Sequence, residues 1–126
     1  KSGDIKKEDT FYNIFASYYF DGHYLLCHDD IVDDRLYAFS YYLEDHPSGD
    51  LVLFNKDATS SKKDKSKKET LAIFEVSDVS YHEVDYTSQD GRKAITGWFN
   101  IKGLGSKRKS KVTSAYAPNI PTKNVL

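Results

Sequence analysis

Residues 24–30 read YLLCHDD. A run of strand-like apolar residues ends in a histidine and, two places on, an aspartate. Side chains on a strand alternate faces with period two, so His28 and Asp30 project together while Asp29 points away. An imidazole and a carboxylate side by side at a strand end are two legs of a metal site. The third leg would come from a distant histidine, and the sequence holds four His in all. HxD alone is a short, common string, so its meaning depends on what surrounds it.

Upstream, residues 11–20 (FYNIFASYYF) form a strand candidate, Asp21-Gly22 is a turn signal, and 23–28 resumes as a strand. Together they predict a hairpin. Downstream, 31–34 is an acidic loop and 35–43 (RLYAFSYYL) is the next strand. Its two faces differ. Tyr37, Phe39, Tyr41 and Leu43 make a bulky row that reads as core packing. Leu36, Ala38, Ser40 and Tyr42 make a row of small residues with a polar-tipped tyrosine, which suits a pocket wall.

After a loop at 46–50 and a short strand at 51–54, residues 56–69 (KDATSSKKDKSKKE) are polar and lysine-rich. Acidic residues interrupt them and no aromatics are interleaved, so they read as a solvated loop rather than a nucleic-acid patch. Strands follow at 70–76 and 79–84. A Gln89-Asp90-Gly91 turn leads into 92–99 (RKAITGWF), the last strong strand. On it Arg92, Ala94, Thr96 and Trp98 share one face, with Ile95 and Phe99 on the other. Both faces carry large apolar groups, so the outer one calls for a cover, from helices preceding Lys1 or from a partner.

Short β-branched and aromatic strands with turn signals between them indicate an all-β sandwich, barrel or jelly roll. At 126 residues this is one domain. The expected division is a flexible segment at 1–10, the β domain at 11–102 with a Lys-rich loop at 56–69, and a tail or linker at 103–126. A net charge of -1 argues for neither a nucleic-acid nor a membrane partner. No apolar run approaches the roughly 18 residues of a membrane span, and no signal peptide is evident. The single Cys, Cys27, allows no internal disulfide and fits a reducing compartment. The chain opens on Lys1 rather than Met and reads as a piece of something longer.

The constellation can now be assembled. His82, inside SYHEV, is the best-placed third ligand for His28 and Asp30. Two His and a carboxylate leave coordination positions open, as in non-haem Fe(II) oxygenases, although the same donors also serve catalytic zinc. Arg92 opens the following strand. There it could clamp the far carboxylate of a dicarboxylate ligand with two parallel charge-assisted hydrogen bonds.

Taken together, YLLCHDD, RLYAFSYYL, SGDLVLF, LAIFEVSDVSYHEV and GRKAITGWF resemble the Fe(II)- and 2-oxoglutarate-dependent prolyl hydroxylases. The nearer resemblance is to the fungal and animal subgroup that hydroxylates a proline of a small-subunit ribosomal protein; the hypoxia-sensing enzymes are more distant. The resemblance spans about residues 11–102. It implies a double-stranded β-helix, that is, a jelly roll with the metal between its sheets. It matches His28, Asp30 and His82 to the iron triad, and Arg92 to the arginine that binds the C5 carboxylate of 2-oxoglutarate. It matches Tyr42 to the strand tyrosine that helps hold that carboxylate, and Tyr19 to one lining the same pocket. Thr96 and Trp98, on Arg92's face, should line it too.

The same resemblance implies Fe(II), 2-oxoglutarate as cosubstrate and ascorbate as reductant. The substrate would be a proline-containing, ribosomal protein or peptide, met in the cytoplasm or nucleus, with no membrane and no direct nucleic-acid contact. No side-chain general base is needed beyond the iron centre. Asp29, Asp33 and Asp34 should rim the metal's mouth, as solvated acids or as a landing for a basic peptide. Three features depart from the family: the helices and strands expected before this region, the second roll that many members carry after it, and the Lys-rich 56–69 segment. They keep two rivals open, a binding or regulatory module that acts by docking a partner, and a zinc hydrolase.

Overall fold

The computed structural model describes residues 5–108. Among them, eight strands form two four-stranded antiparallel sheets. In chain order these are β1 (Thr10–Tyr19), β2 (Leu25–His28), β3 (Arg35–Tyr42), β4 (Leu51–Phe54), β5 (Ser61–Asp64), β6 (Leu71–Glu75), β7 (His82–Val84) and β8 (Arg92–Ile101). One sheet has the order β1-β8-β3-β6 and the other β2-β7-β4-β5. Apart from the consecutive pair β4 and β5, each strand is followed by one in the opposite sheet. That winding is the double-stranded β-helix, or jelly roll, expected from the sequence.

β8 occupies an inner position of its sheet. It pairs with β1 over ten consecutive residues, from Tyr19↔Arg92 to Thr10↔Ile101, and with β3 along its other edge. The β8 row that faces the second sheet contains Arg92, Ala94 and Asn100, all buried, with Thr96 and Trp98 half-buried between them. Opposite polarity of the two faces is thus kept by register, since a slip of one residue would turn the whole row outward.

Several expectations are corrected. The 11–20 and 23–28 strands are not a hairpin, because β1 spends its pairing edge on β8 and β2 pairs with β7 in the other sheet. The Asp21-Gly22 turn instead docks on the β7–β8 connection, with Gly22 N–H donating to Thr87 O at 2.7 Å and Asp21 N–H to Asp90 Oδ1 at 2.7 Å.

On β3 the small-residue row does wall the cavity, through Ala38 and Ser40, but the bulky row is not core. Ala38 and Tyr42 are buried, whereas Tyr37, Tyr41 and Leu43 are exposed. The interior between the sheets takes the small-residue row, because space must remain there for a cavity. Phe39 is the exception in the outer row. It is buried against Gly97, and its ring stacks on Phe99 at 5.0 Å. The outer surface of this sheet does carry the large exposed groups anticipated, among them Tyr12, Ile14, Tyr18, Leu71 and Ile73.

The Lys-rich segment contains a strand rather than only a loop. β5 pairs with β4 from Leu51↔Asp64 to Phe54↔Ser61 and forms the sheet edge, where lysines are suited to deter further pairing. Its turn is closed by Asn55, which accepts from Ser60 N–H at 3.1 Å and donates to Thr59 Oγ1 at 2.8 Å. Of the expected flexible start, residues 1–4 lie outside the described residues, and Lys7–Asp9 form a 3-10 turn. Of the expected tail, residues 109–126 lie outside them, and Leu104–Lys107 form a one-turn helix, α1.

Gly97 is where β1, β3 and β8 come closest. A Cβ there would run into the Asn13 carbonyl of β1 and lie 2.9 Å from Phe39 Cζ. Overpacking against a fixed backbone is expensive, so Gly97→Ala should destabilise the fold by about 3 kcal/mol. Urea unfolding should show this as a lower midpoint at unchanged m-value.

Candidate metal centre

β2 and β7 bring His28 opposite His82, with ring centroids 4.3 Å apart. Beyond His28 the chain leaves the strand through Asp30, whose φ of 64° is left-handed and uncommon for a residue with a Cβ. This turn carries the carboxylate back between the imidazoles. Oδ1 lies 3.1 Å from His28 Nε2, and Oδ2 lies 3.1 Å from His82 Nε2.

The donor chemistry fits a metal ion. His28 Nδ1 is 2.6 Å from Leu26 O, and His82 Nδ1 is 3.0 Å from Ser80 O. An Nδ1–H donating to a carbonyl fixes the tautomer and leaves an Nε2 lone pair aimed at the cluster. Both Nε2 atoms then face carboxylate oxygens, an arrangement satisfied only by added protons or by a cation. All three ligand atoms lie within 4.8 Å of one another. A set of two imidazoles and one carboxylate leaves coordination positions open.

Protonation reflects this crowding. Burial favours the neutral acid of Asp30, but hydrogen bonds and charge from His28 and His82 outweigh it and hold the carboxyl well below the usual range. Burial likewise opposes charging His28, yet the Asp30 hydrogen bond and charge prevail and raise its pKa above the ordinary value.

Two further side chains brace Asp30. The Trp98 indole N–H donates to Oδ2 at 3.1 Å, and Arg35 Nη1 stands 3.6 Å from Oδ1. The Arg35 guanidinium lies 3.6 Å above the Trp98 ring. Trp98 therefore lines the cavity as expected, but its polar atom is turned to the metal cluster. Arg35 escaped the sequence reading. Alternation alone would put it in β3's outer row, and a register shift between Arg35 and Tyr37 takes it out of that row.

From the cluster, a cavity of about 390 Å³ runs between the sheets to Arg92. Its walls include Leu25, Ala38, Leu51, Phe74 and Val84, with the hydroxyls of Ser17 and Thr96, 3.4 Å apart, at mid-depth. Arg92 is only 3% exposed. Its guanidinium lies 4.8 Å from the centre of the Tyr19 ring and 5.4 Å from that of Tyr42. Its Nε–H donates to Gly49 O at 2.6 Å, which leaves the two terminal nitrogens as a fork. Among the described residues, the buried Tyr42 hydroxyl has no hydrogen-bond partner. Burial raises its pKa against the lowering effect of the Arg92 charge, so it keeps its proton to donate. Tyr19 is raised in the same balance of burial and Arg92. A buried guanidinium fork at the end of a cavity is what one end of a carboxylate ligand would complete.

The structure thus brings His28, Asp30 and His82 together at one end of the cavity, and Arg92 and Tyr19 at the other; Tyr42 stands beside Arg92 but lines a separate pocket with Asp64 and Thr70. Of the expected acidic rim, Asp33 and Asp34 line an open cleft beside the cluster, but Asp29 does not. Asp29 is buried, with Oδ1 accepting from Ile31 N–H at 2.9 Å, because it points to the opposite face from its two neighbours. Asp34 Oδ1 accepts from Gly105 N–H at 2.7 Å. An open cleft of about 770 Å³, lined by Phe11, Asn13, Ile31 and Asp33, meets the cavity at Arg35 and Trp98. Gly49 was also missed as part of the site; the HPSGD string signals a turn but not what its carbonyl holds.

Comparisons with known proteins agree with this geometry. A family model described as the 2OG-Fe(II) oxygenase superfamily matches residues 14–100. The chain is 37% identical over 87 residues to the prolyl 3-hydroxylase OGFOD1 of Xenopus laevis, covering 60% of this chain and 17% of that protein. It is 36% identical over 102 residues to the prolyl 3-hydroxylase sudestada1 of Drosophila melanogaster, covering 68% and 19%. The chain therefore spans less than a fifth of these curated relatives. A solved prolyl hydroxylase of Trichoplax adhaerens, in complex with a hypoxia inducible factor peptide fragment, superposes with a TM-score of 0.65 at 20% identity. That match covers 89% of this chain and 51% of the other, and it shows the shared fold.

To ligate a metal, His28 must give up the proton that Asp30 favours. Mn(II) affinity should fall about tenfold per pH unit below the raised His28 pKa. Calorimetry in buffers of differing ionisation heat should register the released proton. Trp98→Phe removes the N–H on Asp30 and should weaken Mn(II) binding about tenfold at constant pH.

Proposed function

Because the chain belongs to the 2OG-Fe(II) oxygenase superfamily, we propose that it is the catalytic roll of a peptidyl-prolyl hydroxylase dependent on Fe(II) and 2-oxoglutarate. The observation that carries this is one cavity with a His-Asp-His cluster at one end and a buried arginine, backed by the Tyr19 ring, at the other. A five-carbon dicarboxylate with a chelating keto-acid head fits both ends. A zinc hydrolase has no use for the second.

His28, Asp30 and His82 would hold the iron. Bound Fe(II) and 2-oxoglutarate together supply the activation of dioxygen, coupling decarboxylation of the cosubstrate to succinate and CO2 with insertion of one oxygen atom into a prolyl C–H bond. The chain's own residues bind, aim and exclude. The Arg92 fork and the Tyr42 hydroxyl take the C5 carboxylate, and the Tyr19 ring backs the guanidinium. Trp98 and Arg35 keep the Asp30 carboxylate from rotating. The apolar walls keep water from the reacting atoms, which strengthens each of these contacts. No side-chain base is required, since the proton and electron movements belong to the metal and its ligands.

The substrate reaches this centre from the open cleft across Arg35 and Trp98. The curated relatives are prolyl 3-hydroxylases by name, which supports a prolyl target. The finer reading, a proline of a small-subunit ribosomal protein met in the cytoplasm or nucleus, rests on the resemblance of YLLCHDD and GRKAITGWF.

The test is incubation of the chain with Fe(II), ascorbate, 2-oxoglutarate and small-subunit ribosomal proteins. Succinate should form, and mass spectrometry should find one added oxygen on a proline. Arg92→Ala, which removes one partner of a buried charge pair, should weaken 2-oxoglutarate binding by about 2–5 kcal/mol. Succinate without hydroxyproline would reject the substrate; neither product would reject the activity.

A further inference from the structure

Arg92 is aimed by its surroundings. A guanidinium is planar, so once Nε–H is fixed the direction of the terminal fork follows. Nε–H is fixed by the Gly49 carbonyl at 2.6 Å. Whatever places that carbonyl therefore sets the carboxylate end of the cavity. Gly49 lies in the connection between β3 and β4, outside any regular element. It is tightly wedged: φ is +74°, and a Cβ would lie 2.5 Å from Arg92 Cδ and 2.9 Å from Thr87 Oγ1.

His46 fastens this connection. Its side chain is buried, with Nε2 3.1 Å from Gln89 O and Nδ1 3.1 Å from Ser48 N. Nε2 faces a carbonyl, so it carries a hydrogen and donates to Gln89 O, while Nδ1 sits between Ser48 O, at 2.9 Å, and Ser48 N–H. Gln89 belongs to the turn that runs directly into Arg92. Ser88 N–H adds a parallel link to Ser48 Oγ at 2.8 Å. On the other side, His46 N–H donates to Ser66 O at 3.0 Å.

The contacts close a ring: Arg92 side chain to Gly49, backbone to His46, imidazole to Gln89, backbone to Arg92. Inside such a ring the guanidinium and its acceptor cannot drift apart. We propose that His46 is a positioning residue that holds the Gly49 carbonyl against Arg92 and so sets the affinity for the distal carboxylate of a dicarboxylate cosubstrate. This rests on the cosubstrate reading given above.

The experiment titrates Mn(II)-loaded protein with 2-oxoglutarate and, separately, with pyruvate, which has the same keto-acid head but no distal carboxylate. His46→Leu keeps bulk but loses the link. It should raise the Kd of 2-oxoglutarate about tenfold, the value of one net hydrogen bond, and leave the pyruvate Kd and the Mn(II) affinity within about twofold. His46→Gln, whose amide reaches the same carbonyl, should restore most of the loss. The proposal is overturned if His46→Leu binds 2-oxoglutarate like the parent, or loses 2-oxoglutarate and pyruvate in equal proportion. If the leucine variant does not fold, His46→Asn, with its shorter amide, takes its place against His46→Gln under the same criteria. Failure of the cosubstrate reading looks different: the parent and Arg92→Ala would then show the same ratio of 2-oxoglutarate to pyruvate affinity.

Discussion

The unbroken register between β1 and β8 is the constraint on which the rest of the site depends. Ten successive pairs leave β8 no freedom to slide, and β3 holds its other edge. The period of two then decides that Arg92, Ala94, Thr96 and Trp98 all face the second sheet. One strand consequently carries both the cation at one end of the cavity and the indole that braces Asp30 at the other. The second sheet answers with the β2–β7 pairing that puts His28 beside His82. The spacing of Arg92 from Trp98 is thus a property of sheet geometry, the more accurate way to hold a site, while the turn at Asp30 and the Gly49 carbonyl aim the groups at the two ends.

Arg92 is buried and the Asp30 side chain is largely so, and either charge would be costly alone. Asp30 is offset by two imidazoles, an indole N–H and the Arg35 guanidinium. Arg92 is offset by a backbone carbonyl and the faces of two tyrosines. The remaining capacity, the terminal fork of Arg92, lies at the far end of the cavity from the metal cluster. The fold tolerates this incompleteness because an occupant that binds only the folded state returns the cost by mass action.

Much of this was legible in the sequence, because strand alternation is local. His28 and Asp30 on one side, Asp29 on the other, and the Arg92 row on β8 all follow from counting in twos. The limits came where counting in twos fails or where partners are distant. A register shift beside Arg35 hid its approach to Asp30. The Asp21-Gly22 turn looks like a hairpin turn, but which strand β1 pairs with is decided 80 residues away by β8. Lysines at 62, 63 and 65 read as solvated, and they are, yet the backbone beneath Lys62 and Lys63 is paired. Size alone misleads for the bulky row of β3, which lies largely outside, while the small row walls the cavity as its composition suggests. The interior had to be left partly unfilled, so the small row went in.

The same β1–β8 pairing has a consequence for how the chain comes into being. Thr10 meets Ile101, so the first strand has no partner until nearly the whole domain has been synthesised. At about 5–20 residues per second, that is a delay of roughly 5–20 s. Throughout it, a segment rich in tyrosine, phenylalanine and isoleucine waits as an open edge. Topologies dominated by such distant contacts also fold slowly once complete. The chain's period of greatest vulnerability is therefore on the ribosome, where a holding chaperone, rather than anything in the finished roll, would protect β1.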